Sequence, residues 1–476
     1  MVDGRVTVRA PKPWAALLTL SVGTFMFMLD ATIVSIAVPT MLRELSGNLN
    51  AVVWVTSVYL LASVVPMLVA GKLGDRFGPK RVFMVGLASF TAASLWCGMA
   101  GDVGTLIAAR AAQGVGAALM TPAALAYISH LFPPARRGAA MGVWSAIAGL
   151  TMLSGPVVGG VLVSNFGWPW IFYVNVPVGI VALVLALFLV PDWRPGNARS
   201  FDLLGGLLSG AGLLLFVFGL HNAQQYAWGE IWAGITIVEV LVTGAVLLAA
   251  FVAWQRFTTR DPLVPPAVFA NRNFSLGALI TTAYAFSLTG MFFPLVIYIQ
   301  TVLGVSPAMA GLVTAPIFAA SSSLALLSGW LSDRLEAKYL LMFGLIVLAG
   351  GLVAVAGLVR SATTVSALVP ALLVCGVGMG FVFSPISNLT MGSVPQKLVG
   401  AASGIFNTVS QVGSVLGSAV VGGLLQARIA AAMTSPGGVG LSTAVRETLW
   451  LPVGVLLLGA LLAAGMERAS QVAESR

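Results

Sequence analysis

Apolar blocks of about twenty residues recur from one end of this 476-residue chain to the other, and nothing else constrains its fold as strongly. A helix rising 1.5 Å per residue needs about 20 apolar residues to cross roughly 30 Å of hydrocarbon. On that ruler fourteen blocks qualify. The first six lie near 14–38, 51–71, 82–100, 104–127, 139–163 and 168–190, and a seventh and eighth near 203–221 and 231–254. The last six lie near 275–299, 307–329, 339–359, 364–388, 400–427 and 447–466. Only 8% of the residues are charged, against about 25% in a soluble domain, so lipid is the expected solvent. The fold class expected is an all-α polytopic membrane protein with 14 transmembrane helices.

The basic residues fix the orientation. Cytoplasmic connections of membrane proteins carry the excess of Lys and Arg. With the N-terminus inside, 19 of the 24 basic residues fall on the inner side, and only Arg43, Arg360, Arg428 and Arg446 fall outside. A miscounted span would invert this bias downstream, and no inversion occurs. Both termini are therefore expected in the cytoplasm, and Arg5, Arg9 and Lys12 flank a first span that is retained rather than cleaved. The net charge of +9 is a topology signal, not a nucleic-acid footprint. Arginine outnumbers lysine 19 to 5, a usage that suggests a GC-rich bacterial genome and hence a bacterial inner membrane.

Several chemistries find no support. Cys97 and Cys375 lie inside apolar blocks, and His130 and His221 are far apart, so no metal spacing exists. No G-x-x-x-x-G-K-[ST] phosphate loop occurs, and no nucleophile–base constellation appears. No cofactor and no enzymatic activity are expected.

The chain repeats itself. At a constant offset of 258, Gly71, Leu73, Asp75, Arg76, Lys80, Met84 and Gly86 match Gly329, Leu331, Asp333, Arg334, Lys338, Met342 and Gly344. Gly138-Ala-Ala-Met-Gly142 is echoed by Gly400-Ala-Ala-Ser-Gly404. The division expected is an N-terminal segment 1–13, a six-helix half 14–191, a linker 192–260 with two additional helices, a second six-helix half 261–466, and a tail 467–476. Tandem halves place a substrate site at their interface, with alternating access by rocking.

These residues resemble the major facilitator superfamily, and within it the fourteen-spanner drug:proton antiporters. Gly71, Asp75, Arg76, Gly78, Lys80 and Arg81 look like its loop between spans two and three, with Pro79 in place of a basic residue. Leu106 to Gly116, containing Arg110, Gln113, Gly114 and Gly116, looks like the motif of span four. Gly155, Pro156, Gly159 and Gly160 look like the fifth-span antiporter motif. Leu29 to Pro39 is similar to the first-span motif of the fourteen-spanner branch, with Ser35 where Asn is usual. Trp168 to Pro177 and Phe269 to Phe274 also look like that branch. The resemblance implies efflux of a small molecule driven by a proton gradient.

Asp30 and Arg110 are charged groups inside spans, where charge costs roughly 2.5–3.5 kcal/mol on insertion scales and usually faces a cavity or partner. At 1.5 Å per residue, Asp30 lies about 12 Å and Arg110 about 9 Å below the same outer surface. The resemblance places their helices side by side. Protonation of Asp30 would weaken its hold on Arg110, with Gln113, three residues on, completing the network. The alternatives are a structural ion pair, or recognition of a substrate's charge by Asp30. Asp75 and Arg76, with Asp333 and Arg334 in the repeat, form a candidate latch between two states. Gly155, Pro156, Gly159 and Gly160 are expected at a flexible contact between halves, and Asn388, Asn407 and Gln411 on the cavity wall. Glu239 lies within the second linker helix and has no assigned role. Trp168, Trp170 and Tyr173 are expected in the interfacial aromatic belt.

The function expected is a proton-coupled antiporter, working as a monomer, that exports a lipophilic drug or antibiotic, cationic ones included. Its partners are the substrate, protons and the bilayer. A nutrient symporter or a non-transporting membrane sensor are the alternatives.

Overall fold

The computed structural model describes residues 13–45, 49–193, 202–223, 226–232, 234–258, 262–305, 307–360, 364–395, 398–434 and 440–467. Almost all of them are helical. Among the described residues, twelve helices are long and apolar enough to cross a membrane, or thirteen if one bent pair counts as a single span.

The first group comprises α1 (Pro13–Glu44), α2 (Leu49–Val64), α3 (Met67–Phe77), α4 (Pro79–Gly98), α5 (Val103–Leu131), α6 (Pro134–Phe166), α7 (Trp170–Tyr173) and α8 (Asn175–Leu189). The expected span 51–71 is broken: α2 and α3 meet at 43° beside Pro66, whose ring removes one backbone donor. Gly78, at φ 89°, turns the chain from α3 into α4; that left-handed region is open to glycine without a Cβ penalty. Asp102 caps α5 by accepting the Thr105 backbone N–H at 2.8 Å, and the Thr105 bonds hold its carboxyl below the ordinary value.

Between the groups stand α9 (Leu203–Asn222) and α10 (Ile237–Phe257). They pack closely on each other, and Val238, Val242, Val246 and Val252 of α10 face outward. The expected start of the second helix at 231 is corrected. Residues Glu230–Trp232 (β1) and Ile235–Thr236 (β2) form a short antiparallel hairpin, with Gly234 at φ 83°. Thr236 and Glu239 then make a reciprocal capping box that starts α10. Glu239 is thus a helix-start residue, which explains an acid at that position.

The second group comprises α11 (Pro266–Phe269), α12 (Arg272–Ile297), α13 (Pro307–Ser332), α14 (Ala337–Leu358), α15 (Val365–Gly380), α16 (Phe383–Gly392), α17 (Val399–Thr434) and α18 (Leu441–Ala464). A π-helical turn, Tyr298–Val302, follows α12. One apolar core lies wholly within residues 280–466, and two others lie within 16–193. A further cluster, from Leu17 to Phe406, joins the two groups. The principal contacts between groups are α6 with α13 and α3 with α17.

Candidate functional site

Five helices of the first group meet around the Asp30–Arg110 pair: α1 and α5 bring the residues the sequence singled out, and α2, α4 and α8 bring residues it did not. Asp30 of α1 and Arg110 of α5 are fully buried and form an ion pair through Arg110 Nη1. Gln113, one turn along α5, donates to Asp30 Oδ1 at 2.9 Å and accepts from Arg110 Nη1 at 2.7 Å. Asn175, the first residue of α8, donates to Asp30 Oδ1 at 3.3 Å. The Arg110 Nε donates to the Val55 carbonyl at 3.1 Å, and its guanidinium lies 3.9 Å from the centre of the Tyr59 ring, both on α2. On α4, Ser94 accepts from Gln113 at 2.7 Å, and Cys97 Sγ lies 3.6 Å from Gln113 Oε1.

Two ions held in this way survive burial only because nearly every polar atom is matched. The exception is Arg110 Nη2, which has no partner among the described residues. The three residues expected to form one network are therefore in contact. Asn175, Tyr59 and Ser94 escaped sequence reasoning. A buried amide at the start of the sixth span was the available signal for Asn175; nothing marked one tyrosine or one serine among the rest.

The repeated segments make a second constellation at the end carrying the repeated loop pattern. Asp75 accepts the backbone N–H of Ala401 at 3.0 Å, in the first turn of α17. Asp333 accepts those of Gly138 at 2.7 Å and Ala139 at 2.8 Å, in the second turn of α6. Each acid of one group thus reaches the start of a helix in the other, where the helix dipole favours negative charge. Burial raises the Asp333 carboxyl above its ordinary value, against the pull of these two N–H groups and of Arg137.

The glycines explain why the helices come so close. A Cβ on Gly71 would stand 2.5 Å from the Gly400 carbonyl oxygen, and one on Gly138 would stand 2.5 Å from that of Gly329. The offset repeat is therefore also a crossed contact: the first copy of each motif touches the second copy of the other.

Arg76 and Arg334 do not pair with the acids. Both are exposed, Arg76 beside the Phe77 ring and Arg334 over the Trp330 ring. Arg81 is exposed too. The matched lysines instead bind helix C-termini, where cations oppose the dipole. Lys80 Nζ donates to the Leu187 carbonyl at 2.8 Å, and Lys338 Nζ donates to those of Ala464 at 2.6 Å and Met466 at 3.0 Å.

The remaining expected residues are scattered. Gly155 packs against Thr32 of α1, within its own group, instead of between groups; a Cβ on Gly160 would meet nothing within 4 Å. Gly159 is buried, and the side chain of Pro156 lies outside the described residues. Asn388 lies beside Ser332, donating at 3.5 Å near the crossed contact. Asn407 bonds its own helix through the Ser403 carbonyl at 2.8 Å, and Gln411, one turn deeper, is half-buried. Trp168 is buried and Tyr173 donates to the Gly98 carbonyl at 2.7 Å, so of the three aromatics only Trp170 is open enough for an interfacial belt. Arg5, Arg9, Lys12, Arg194, Arg199, Arg260, Lys397, Arg468 and Arg476 lie outside the described residues.

Comparison with known proteins places these features in context. Residues 20–418 match the Major Facilitator Superfamily profile. The chain is 46% identical over 428 residues to an uncharacterised transporter of that type from Mycobacterium tuberculosis, covering 90% of this chain and 72% of the other. It is 36% identical over 425 residues to the tetracenomycin C resistance and export protein of Streptomyces glaucescens, covering 88% and 77%. In fold it is similar to the proton:xylose symporter XylE, with a TM-score of 0.65 over 94% of each chain at 14% identity.

Proposed function

The chain belongs to the Major Facilitator Superfamily, a family of multi-pass membrane transporters and not of enzymes, and from that premise we propose that it is a proton-coupled antiporter exporting a lipophilic antibiotic or drug. In this reading it has fourteen spans: the twelve, the bent α2–α3 pair, and α6, whose 33 residues reach about 50 Å at 1.5 Å per residue. Two six-span halves, 14–191 and 261–466, flank the inserted pair. The chain lies in the bacterial inner membrane with both termini in the cytoplasm, and it works as a monomer. The Asp75/Asp333 end is then the cytoplasmic gate, closed.

The observation that carries the proposal is the buried Asp30–Arg110 pair. Protonating Asp30 neutralises one partner and leaves Arg110 charged, with Nη2 already unmatched. Removing one partner of a buried pair costs about 3–5 kcal/mol. Moving a two-state equilibrium from 1:99 to 99:1 takes about 5.5 kcal/mol. One proton at this site therefore commands most of the energy needed to change which conformation dominates. The export direction draws support from the relative named for tetracenomycin C resistance and export.

Proteoliposomes holding an internal pH dye and an acid-inside gradient test this. Added lipophilic compounds should alkalinise the interior as protons leave in exchange, and Asp30→Asn should abolish the signal. Substrate and proton moving in the same direction would make the protein a symporter; binding without coupled flux would make it a sensor.

A further inference from the structure

We propose that a recess near the gate end, between α10, the 262–270 connection, α3 and α17, holds one phospholipid with an anionic headgroup. The recess has a volume of about 590 Å³, inside the roughly 300–1,000 Å³ range of small-molecule sites. Leu68, Phe251, Val264 and Ile405 form apolar walls. Three polar residues line it as well, and they differ in what they have left to offer.

Gln255 is engaged through both atoms of its amide: its Nε2 donates to Asp202 at 2.7 Å, and its Oε1 accepts the Val264 N–H at 3.1 Å. Thr408 is 6% exposed, and its hydroxyl has no partner among the described residues. A buried hydroxyl without a partner is costly, and a ligand in the recess would relieve it. Arg256 is the single charged residue of the lining, exposed in the last turn of α10.

An apolar trough with one cation and one free hydroxyl suits an amphiphile. A free phosphate would leave the walls unused, and a neutral acyl chain would leave Arg256 unused. The location agrees. Val252 at 55% and Phe257 at 81% exposure open this edge of α10 to lipid, on the end where the basic residues gather to meet an anionic leaflet. Two walls also belong to the crossed contact: the Leu68 Cα stands 3.5 Å from where a Cβ on Gly404 would lie. A chain in the recess packs behind the α3–α17 contact and braces it.

Native mass spectrometry of the purified full-length protein, titrated with phosphatidylglycerol or phosphatidylcholine of matched chains, tests the site. The first phosphatidylglycerol should be retained about fivefold better than phosphatidylcholine, the ratio one basic residue near an anionic surface supplies. Arg256→Gln should erase that preference. Val252→Trp, which fills the recess from the lipid side, should remove the first adduct of either lipid. Phosphatidylglycerol should raise the melting temperature of the wild type alone, with lipid-free melting unchanged in both variants. Equal retention of the two lipids by the wild type, an unchanged preference in Arg256→Gln, or an intact adduct in Val252→Trp would each overturn the proposal. So would a glycerol phosphate adduct that Arg256→Gln removes, since the site would then be one for free phosphate. These readouts need no transport, so they stand or fall apart from the antiport reading.

Discussion

Asp333 accepts the backbone N–H of Gly138 at 2.7 Å across 195 residues of sequence, tying the end of α13 to the second turn of α6. Asp75 does the same for Ala401 at the start of α17. The two ties are related by the internal repeat, and together they join the two groups of helices at one end.

Removing a tie should open that end. Asp333→Ala deletes the acceptor of two N–H groups, at a cost of about 1.5–3 kcal/mol for bonds to a charged group. The ratio of closed to open molecules should fall at least tenfold. Spin labels on cysteines at Phe77 and Leu335, exposed at 46% and 56%, would report a longer distance, while the buried native Cys97 and Cys375 stay unlabelled. Asp75→Ala should act in the same direction, and the two together near-additively, because the acids share no partner.

The glycines of the crossed contact should tolerate no side chain. Gly71→Ala puts a Cβ 2.5 Å from the Gly400 carbonyl, and Gly142→Ala puts one 2.6 Å from that of Ala325. Backbone cannot yield as a flexible side chain would, so each should cost about 1–3 kcal/mol and lengthen the same label distance. Gly160→Ala, with nothing within 4 Å, should leave distance and transport unchanged.

The central pair should show strong coupling. Arg110→Leu leaves Asp30 buried without its cation and should destabilise by about 3–5 kcal/mol. Asp30→Leu/Arg110→Leu should melt higher than Arg110→Leu alone in detergent. If the double variant melts at the sum of the single losses, the two charges are not coupled.

Asn175 should matter for positioning. Asn175→Ala removes a 3.3 Å bond to Asp30, worth about 0.5–1.5 kcal/mol, or more with a charged acceptor. Substrate-dependent proton efflux should shift its pH midpoint while some transport persists. Asn175→Asp, placing a second carboxylate beside Asp30, should lose more activity than Asn175→Ala.

Much of this molecule is written in the linear order of its residues. Hydrocarbon demands about twenty apolar residues per crossing, so the blocks by themselves mark out the long apolar helices without tertiary information. Repetition gives the paired acids and glycines. Because charge in a span is costly, Asp30 and Arg110 identify themselves, and the structure pairs them.

Only the tertiary structure decided which helices meet. Apolar faces are interchangeable to lipid, so nothing in the sequence of α6 says that Gly155 packs on Thr32 within its own half while Gly138 packs on Gly329 across the molecule. The capping role of Glu239, the bend at Pro66 and the partners of Asp30 on α5 and α8 depend on local geometry and on neighbours about 80 to 145 residues away. The lipid environment fixes how many helices form and how they thread; close packing, which reads shape and not hydropathy, fixes what each polar group finds beside it.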